Sequence, residues 1–331
     1  MRKSPFSLCE KCFVDINGER QGMFLRSEDI MNPVLLFVHG GPGMPEYFLA
    51  EKYPTGLESL FTVCYWEQRG AGLSYKPGMD SQSITVEQLV NDTNSVAQYL
   101  CERFGKQKIY LMAHSWGSYI GIQAAEKAPA LYHAYIGVGQ IANMFDSERI
   151  AFSYMLDEFK KRGDKTMLSQ LRKYDVLGSD EAVLAFFRTV LRDQAMHKLG
   201  IGTMRNMKSV ISGVFIPVLR CRAYTWRERV NIWKAKAFLR SKTELVHQFF
   251  TADLMSKHVR LEIPAHFFSG RYEYTVNTDL SKKLLEKIEA PQKAFYTFEQ
   301  SAHSPMFEEP EEFLSIIANI SQRVEEHSFV R

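Results

Sequence analysis

Cysteine is scarce in this chain of 331 residues, and no apolar run is long enough to cross a membrane. The five cysteines are an odd number and are scattered along a large chain, so we expect no disulfide framework and a reducing compartment. A membrane helix needs roughly 18 consecutive apolar residues, and none of the runs reaches that length. The first residues, MRKSPFSLCEKCF, contain no apolar stretch typical of a signal peptide. The sequence therefore predicts a cytoplasmic protein without a membrane partner.

An excess of charge of either sign is also missing. The chain has 41 Lys and Arg against 38 Asp and Glu, a formal net charge of +3. A balance this close to neutral does not indicate a nucleic-acid partner or an acidic membrane surface. Cys9 and Cys12 form a CxxC pair, but no second pair and no nearby His complete a zinc site. We therefore expect no metal and no cofactor.

Strand-like and helix-like segments alternate along much of the chain, which predicts an α/β fold: a mostly parallel twisted sheet with helices on both faces. Asn17-Gly18 indicates a hairpin, so the first two strands should be antiparallel. A helix over 85–104 is marked by a capping-box pattern at Thr85 and Gln88 and by a stop at Gly105. The expected strands are 13–16, 23–25, 34–38, 61–66, 109–113, 134–138, 265–269 and 294–298.

This alternation breaks between about residues 141 and 258, where the pattern is helical and rich in Met and aromatic residues. Only a short apolar run at 214–219 resembles a strand there. We expect two parts: a core made of residues 1–140 and 259–331, and a helical cap made of residues 141–258. Most of the Met and aromatic side chains should fill the core of the cap, and some should face the site beneath it.

The first chemical motif is the pentapeptide Ala113-His114-Ser115-Trp116-Gly117, which lies between an apolar strand and a helix. A nucleophile elbow needs a tight turn there, with small residues two positions before and two positions after the nucleophile. Ala113 stands where the pattern G-x-S-x-G has its first glycine. Taken alone, Ser115 could equally be a helix N-cap.

A second motif, His39-Gly40-Gly41-Pro42-Gly43, follows the buried strand at 34–38. Glycines let the backbone approach a substrate and direct N–H groups toward it. An oxyanion hole needs such donors. We expect the backbone N–H groups of Gly41 and Trp116 to form one.

The third motif supplies a base and an acid, completing the order nucleophile, acid, base along the chain. His303 follows the last expected strand, and Glu273 follows the strand before it. Glu273 would orient His303 and stabilise its imidazolium form. Asp146 and Asp279 remain alternatives for the acid.

Taken together, HGGPG at 39–43, WEQRGAGLS at 66–74, AHSWGS at 113–118, SGRYE at 269–273 and SAHS at 301–304 resemble the proline iminopeptidase-like branch of the α/β-hydrolases. The resemblance spans the core on both sides of the helical segment. It implies a metal-independent serine hydrolase with a helical cap that cleaves an N-terminal residue, often proline, from small peptides. Glu67, Glu273 and Ala113 depart from the Asp, Asp and Gly that are usual in the family.

The family resemblance leaves the substrate open, because no clear copy of the cap carboxylates that bind a free amine is present. Glu228 is the nearest candidate, with Trp226 and Tyr224 as walls for a prolyl ring, although Arg227 and Arg229 could neutralise it on a solvated face. We therefore expect an aminopeptidase acting on short peptides. The alternatives are an esterase or amidase for small apolar acyl substrates, and a ligand-binding protein without catalysis.

Overall fold

The computed structural model describes residues 6–328, and within this range the chain forms one eight-stranded sheet. Residues 1–5, which belong to the N-terminal segment judged to lack a signal peptide, lie outside the described range. The strand order is β1-β2-β4-β3-β5-β6-β7-β8, with antiparallel pairing at β1-β2 and β2-β4 and parallel pairing elsewhere. The strands are β1 (Leu8–Ile16), β2 (Glu19–Ser27), β3 (Val34–Val38), β4 (Thr62–Trp66), β5 (Ile109–His114), β6 (Tyr132–Val138), β7 (Ala265–Gly270) and β8 (Lys293–Phe298).

The hairpin expected at Asn17-Gly18 is confirmed. Both residues have positive φ angles, 51° and 77°, as a two-residue turn between twisted antiparallel strands requires. The two strands extend beyond the expected 13–16 and 23–25. Glu10 and Lys11 lie in the added part, where both are half-buried and each forms an ion pair, Glu10 with Arg103 and Lys11 with Glu228.

The central strands are buried on both faces, and their alternate side chains enter two separate cores. Val34, Leu36 and Val38 of β3 point into one core, whereas Leu35 and Phe37 point into the other. Helices cover both faces, so the expected fold class is confirmed. A strand buried on both faces reads as the continuous apolar run that the sequence shows at 34–38.

Within residues 6–328, no helix combines the length and the apolar character needed to cross a membrane. In the expected helix at 85–104, the Thr85 hydroxyl accepts from the Gln88 N–H, and Gly105 ends the helix with a φ of 62°. The α-helices are α1 (Tyr47–Lys52), α2 (Leu57–Leu60), α3 (Val86–Phe104), α4 (Trp116–Lys127), α5 (Met144–Lys161), α6 (Lys165–Leu171), α7 (Asp180–Phe187), α8 (Val190–Leu199), α9 (Ile216–Arg220), α10 (Trp226–Lys242), α11 (Leu245–Thr251), α12 (Thr278–Lys287), α13 (Pro305–Glu308) and α14 (Pro310–Ser328).

Helices α5–α11 form an insertion between β6 and β7. Its two ends meet: the Leu254 N–H donates to the Ala142 carbonyl at 2.9 Å, and Asn143 forms an isolated bridge with Asp253. The chain thus leaves and re-enters the core at one point.

The possible strand at 214–219 is helical instead, with a single π-helical turn at Ile211–Phe215 leading into α9. Val214, Pro217 and Val218 are buried while Phe215 and Ile216 are exposed, which is helical spacing rather than alternation. Pro217 is tolerated because it lies in the first turn of α9, where its missing N–H has no helical partner.

Candidate active site

Ser115 lies on a sharp turn between β5 and α4. Its φ of 54° and ψ of −122° belong to a region that L-residues with a Cβ rarely adopt. The turn needs glycine at position 117, because a Cβ there would lie 2.2 Å from the Val38 carbonyl oxygen. This strained strand-to-helix turn is the geometry of a nucleophile elbow.

Ala113 replaces the first glycine of the elbow, and α4 makes room for its methyl group. A Cβ added at Gly121 would lie 2.6 Å from the Ala113 Cβ. The glycine that allows the close approach is thus Gly121 on the facing turn of α4, instead of a residue on β5. The same close packing of β5 against α4 results.

His303 lies in the loop between β8 and α13 and is oriented by Glu273. The His303 Nδ1 lies 2.5 Å from the Glu273 Oε2, and both residues are almost fully buried. The second oxygen of Glu273 accepts the backbone N–H groups of Thr275 at 2.7 Å and Val276 at 3.0 Å. These bonds fix the carboxylate, so Nε2 of the imidazole is the nitrogen available to another group.

The other two candidate acids lie elsewhere. Asp146 is in the first turn of α5, where its half-exposed carboxylate is 3.7 Å from Arg149. Asp279 is exposed in the first turn of α12. The structure therefore brings only Glu273, of the three, to His303.

The glycine loop after β3 lies beside Ser115. Gly41 has a φ of 131°, and a Cβ there would lie 2.4 Å from the Gly43 nitrogen, so only glycine fits. Within residues 6–328, neither the Gly41 N–H nor the Trp116 N–H donates to a protein acceptor. Both donors remain available for an oxygen atom bound next to Ser115.

Ser115 and His303 open into one cavity of about 200 Å³ between the core and the insertion. Core residues Gly40, Gly41 and Glu46 line its floor. The insertion supplies an apolar part of the wall: Met144, Phe187, Val210, Val214, Val246 and Phe249. It also supplies a polar part: Arg192, Asp193, His197, Thr203, Lys236 and Arg240.

A family model described as alpha/beta hydrolase fold matches residues 33–310. The probable aminopeptidase YbaC of Bacillus subtilis (strain 168) is 31% identical over 314 residues, covering 95% of each chain. The chain belongs to the α/β-hydrolase family.

Further comparisons relate this α/β-hydrolase to the proline iminopeptidase-like branch, and it is a hydrolase. The proline iminopeptidase of Heyndrickxia coagulans is 21% identical over 93% of this chain and 96% of its own. The crystal structure of the Mycobacterium smegmatis proline iminopeptidase superposes with a TM-score of 0.61 at 16% identity, covering 97% of this chain and 99% of its own. At that identity the structural match shows the shared fold alone.

In this α/β-hydrolase, His114 links the glycine loop to the His303 loop, a connection that the sequence analysis missed. Its Nδ1 lies 2.9 Å from both Glu46 carboxylate oxygens, and its Nε2 lies 2.9 Å from the His303 carbonyl oxygen. Both partners are acceptors, so His114 satisfies both only as an imidazolium. Burial lowers the pKa of His114, but the adjacent Glu46 carboxylate more than offsets this effect and raises it.

Gly139, directly after β6, was also missed. It has a φ of 56°, and a Cβ there would lie 2.9 Å from the His303 Cε1 and 3.0 Å from its Nδ1. The His303 imidazole therefore packs directly against the backbone of Gly139. The available signal was a glycine that ends a buried strand at the carboxyl edge of the sheet.

The structure does not bring Glu228, Trp226 and Tyr224, which were expected to contact the substrate, to the cavity that Ser115 lines. None of them lines the cavity of this hydrolase. Glu228 caps α10 by accepting the Thr225 N–H and pairs with Lys11 of β1 at 2.9 Å. Trp226 is 70% exposed, and Tyr224 is buried with its hydroxyl bonded to Glu67.

The CxxC pair lies on β1, where residues three apart face opposite sides of the sheet. Cys9 is exposed beside Arg26, and Cys12 is half-buried near Arg103. No cluster of three or more His, Cys, Asp or Glu side chains suited to a metal occurs within residues 6–328 of this hydrolase.

Proposed function

We propose that Ser115, His303 and Glu273 form a catalytic triad and that the protein removes the N-terminal residue from short peptides. The observation that carries the proposal is the position of Ser115, on a strained turn at the floor of the cavity that also holds the Glu273-oriented imidazole. The names of the relatives, a probable aminopeptidase and proline iminopeptidases, support the choice of peptide substrates.

In the proposed reaction, His303 Nε2 takes the Ser115 proton as the hydroxyl oxygen attacks the scissile carbonyl carbon. The N–H groups of Gly41 and Trp116 bind the oxyanion that forms. The tetrahedral intermediate collapses, the C–N bond breaks, and the imidazolium gives its proton to the leaving amine. Water, activated by the same imidazole, then hydrolyses the acyl-enzyme and restores Ser115.

A free N-terminal amine needs a carboxylate near Ser115, and Glu46 is our candidate in place of Glu228. A Cβ added at Gly40 would lie 2.8 Å from Glu46 Oε1 and 3.2 Å from the Ser115 Cβ, so the carboxylate adjoins the nucleophile. Burial raises the pKa of Glu46, but the His114 imidazolium outweighs that effect and lowers it. Glu46 thus remains a carboxylate able to accept a charge-assisted hydrogen bond.

The alternative is an esterase or amidase for small apolar acyl groups. The apolar part of the insertion wall, including Met144, Phe187 and Phe249, suits such a group. This activity would use the same triad and oxyanion donors, but it would not depend on a free amine.

The rate on a prolyl naphthylamide with a free amine, divided by the rate on its N-acetylated counterpart, separates the two functions. We expect the free-amine substrate to be favoured at least 100-fold, since losing a buried charge partner costs several kcal/mol. Glu46→Gln should reduce that ratio, whereas Glu51→Gln, outside the cavity, should not. Near-equal rates, or activity confined to p-nitrophenyl esters, would exclude the aminopeptidase.

A further inference from the structure

Helix α10 is held directly against the loops of the active site. Leu239 fills the space over two glycines: a Cβ at Gly43 would lie 2.6 Å from Leu239 Cδ1, and one at Gly70 would lie 3.2 Å from Leu239 Cδ2. Gly43 belongs to the loop that carries the oxyanion donor Gly41. The orientation of α10 over Ser115 is therefore fixed by close packing.

Two cationic residues of α10, Lys236 and Arg240, line the cavity together with Ser115 and His303. They are four residues apart and so lie on one face of the helix. Within residues 6–328, neither forms an ion pair or a hydrogen bond. Each cation lies near an aromatic ring instead: the Lys236 Nζ lies 5.8 Å from the Trp233 ring centroid, and the Arg240 guanidinium lies 5.7 Å from the Phe187 ring centroid.

This arrangement is unfavourable without an anion. Burial lowers the pKa of Lys236, and the neighbouring Arg240 lowers it further. Like charges one helical turn apart also destabilise a helix. Two charges that repel each other in a half-buried cavity would be stabilised by a negatively charged ligand.

The carboxylates near the cavity do not neutralise Lys236 and Arg240, because none of them forms an ion pair with either residue. Glu46 is engaged by His114, and Glu148 is engaged by Arg192 at 2.9 Å. Asp193 lies 3.4 Å from the same Arg192 and is half-exposed. Asp193 acts electrostatically on both Lys236 and Arg240 but forms an ion pair with neither of them, so one partly solvated carboxylate is set against two cations.

The ordinary alternative is a solvated cationic face, and α10 has such residues. Lys234 and Arg227 are exposed and do not line the cavity, so water stabilises their charges. Lys236 and Arg240 differ because they point into the space above Ser115. Their position, rather than the overall charge of the helix, carries the inference.

We infer that Lys236 and Arg240 bind a carboxylate of the substrate, an inference that rests on the proposed role of Ser115 as nucleophile. The carboxylate could come from either side of the scissile bond. If the leaving group carries it, it is the C-terminal carboxylate of a very short peptide. If the acyl part carries it, it belongs to an acidic acyl group. A guanidinium can bind either one through two parallel hydrogen bonds.

Matched substrates test the inference and identify the source. One pair is a prolyl dipeptide with a free C-terminus and the same dipeptide with a C-terminal amide. The other pair is the p-nitrophenyl monoester of glutaric acid and the p-nitrophenyl ester of butyric acid. We expect kcat/KM to favour the carboxylate-bearing member at least tenfold in one pair, mainly through a lower KM.

The variants Lys236→Gln and Arg240→Gln should reduce this preference toward one, and Lys236→Glu should favour the neutral member of the pair. Lys234→Gln removes the same charge from the exposed face of α10 and should leave the preference intact. Circular dichroism and melting temperature check that each variant folds. Equal kcat/KM within both pairs in the wild type, or an unchanged preference in the Lys236 and Arg240 variants, would overturn the inference.

A binding experiment separates failure of the proposed triad from failure of the carboxylate site. Calorimetry measures how tightly the free and the amidated dipeptide bind to the Ser115→Ala protein. If the wild type shows no hydrolysis but the free dipeptide still binds at least tenfold more tightly, and Lys236→Gln removes that difference, the carboxylate site stands without the proposed chemistry. If hydrolysis occurs but neither binding nor kcat/KM depends on the carboxylate, the triad stands and the carboxylate site does not.

Discussion

The Glu273 side chain is expected to act through a single hydrogen bond to the His303 imidazole. Glu273→Gln keeps the shape but loses the negative charge, so turnover should fall by up to about 10⁴-fold. The measurement is kcat for the preferred substrate in purified variants of equal melting temperature. Asp146→Asn and Asp279→Asn, which change carboxylates at the surface, serve as controls. A comparable loss in either control, with Glu273→Gln still active, would reassign the acid.

The bare backbone at Gly139 is expected to position the imidazole. Gly139→Ala places a methyl group within about 3 Å of the His303 ring, so kcat should fall at least tenfold. Gly163→Ala is the matched control, since Gly163 also has a positive φ, 68°, but its Cβ would meet nothing within 4 Å. Both variants carry the same backbone strain, about 1 kcal/mol or slightly more. Full activity in Gly139→Ala would show that the ring has room to move.

The sequence predicts the residues at the ends of strands better than those that reach the site from helices. Ser115, His303 and Glu273 follow strands, and the parallel sheet brings their loops to one edge. Lys236 and Arg240 could not be found this way, because their approach to Ser115 depends on how α10 packs on Gly43.

The segment Thr225–Glu228 carries a local sequence signal for the position of Glu228. A Thr followed three residues later by Glu is a capping box, and in the structure both of its hydrogen bonds are present. That pattern already assigns the Glu228 carboxylate to the start of α10. The same holds for 214–219, where apolar spacing matched a helix as well as a strand.

Glu67 joins the end of β4 to the segment before α10. Its Oε2 accepts the Leu73 N–H at 2.5 Å, and its Oε1 is bonded to the Tyr224 hydroxyl. Burial raises the pKa of Glu67 from 4.5 to about 8. Glu at this position, rather than the Asp usual in the family, thus connects the core to the insertion.

The pKa of Glu67 makes a prediction about stability. A carboxyl group whose pKa is raised by folding binds its proton more tightly in the folded state. Its contribution is therefore fully present below about pH 4.5 and is lost as pH rises through about 8, by the order of a few kcal/mol. Glu67→Gln offers the Leu73 N–H an acceptor oxygen and Tyr224 an amide N–H, so this loss should disappear.

The free energy of unfolding, measured in urea between pH 5 and pH 9 for the wild type and Glu67→Gln, checks this prediction. As pH rises, the free energy of unfolding of the wild type should fall steadily relative to that of Glu67→Gln. Glu262→Gln, which alters an exposed carboxylate, should follow the wild type. Parallel curves for the wild type and Glu67→Gln would contradict the raised pKa.

The insertion lies over the edge of the sheet and supplies much of the cavity wall. We expect it to set specificity without supplying the reacting groups. Phe187→Ala should change the ratio of rates on prolyl and alanyl naphthylamides severalfold, because Phe187 lines the cavity. Val190→Ala, exposed on the same insertion, should leave that ratio unchanged. The idea fails if Phe187→Ala keeps the wild-type substrate profile.

Covalent labelling examines whether Ser115 is the nucleophile that His303 activates. The protein is treated with a fluorophosphonate, and its intact mass and the labelled peptide are determined by mass spectrometry. We expect one adduct on Ser115 in the wild type, no adduct in Ser115→Ala, and labelling slowed by orders of magnitude in His303→Ala. Ser304→Ala, which changes another buried serine beside His303, should label like the wild type. An unchanged mass in the wild type, or an adduct that persists in Ser115→Ala, would show that Ser115 is not the nucleophile.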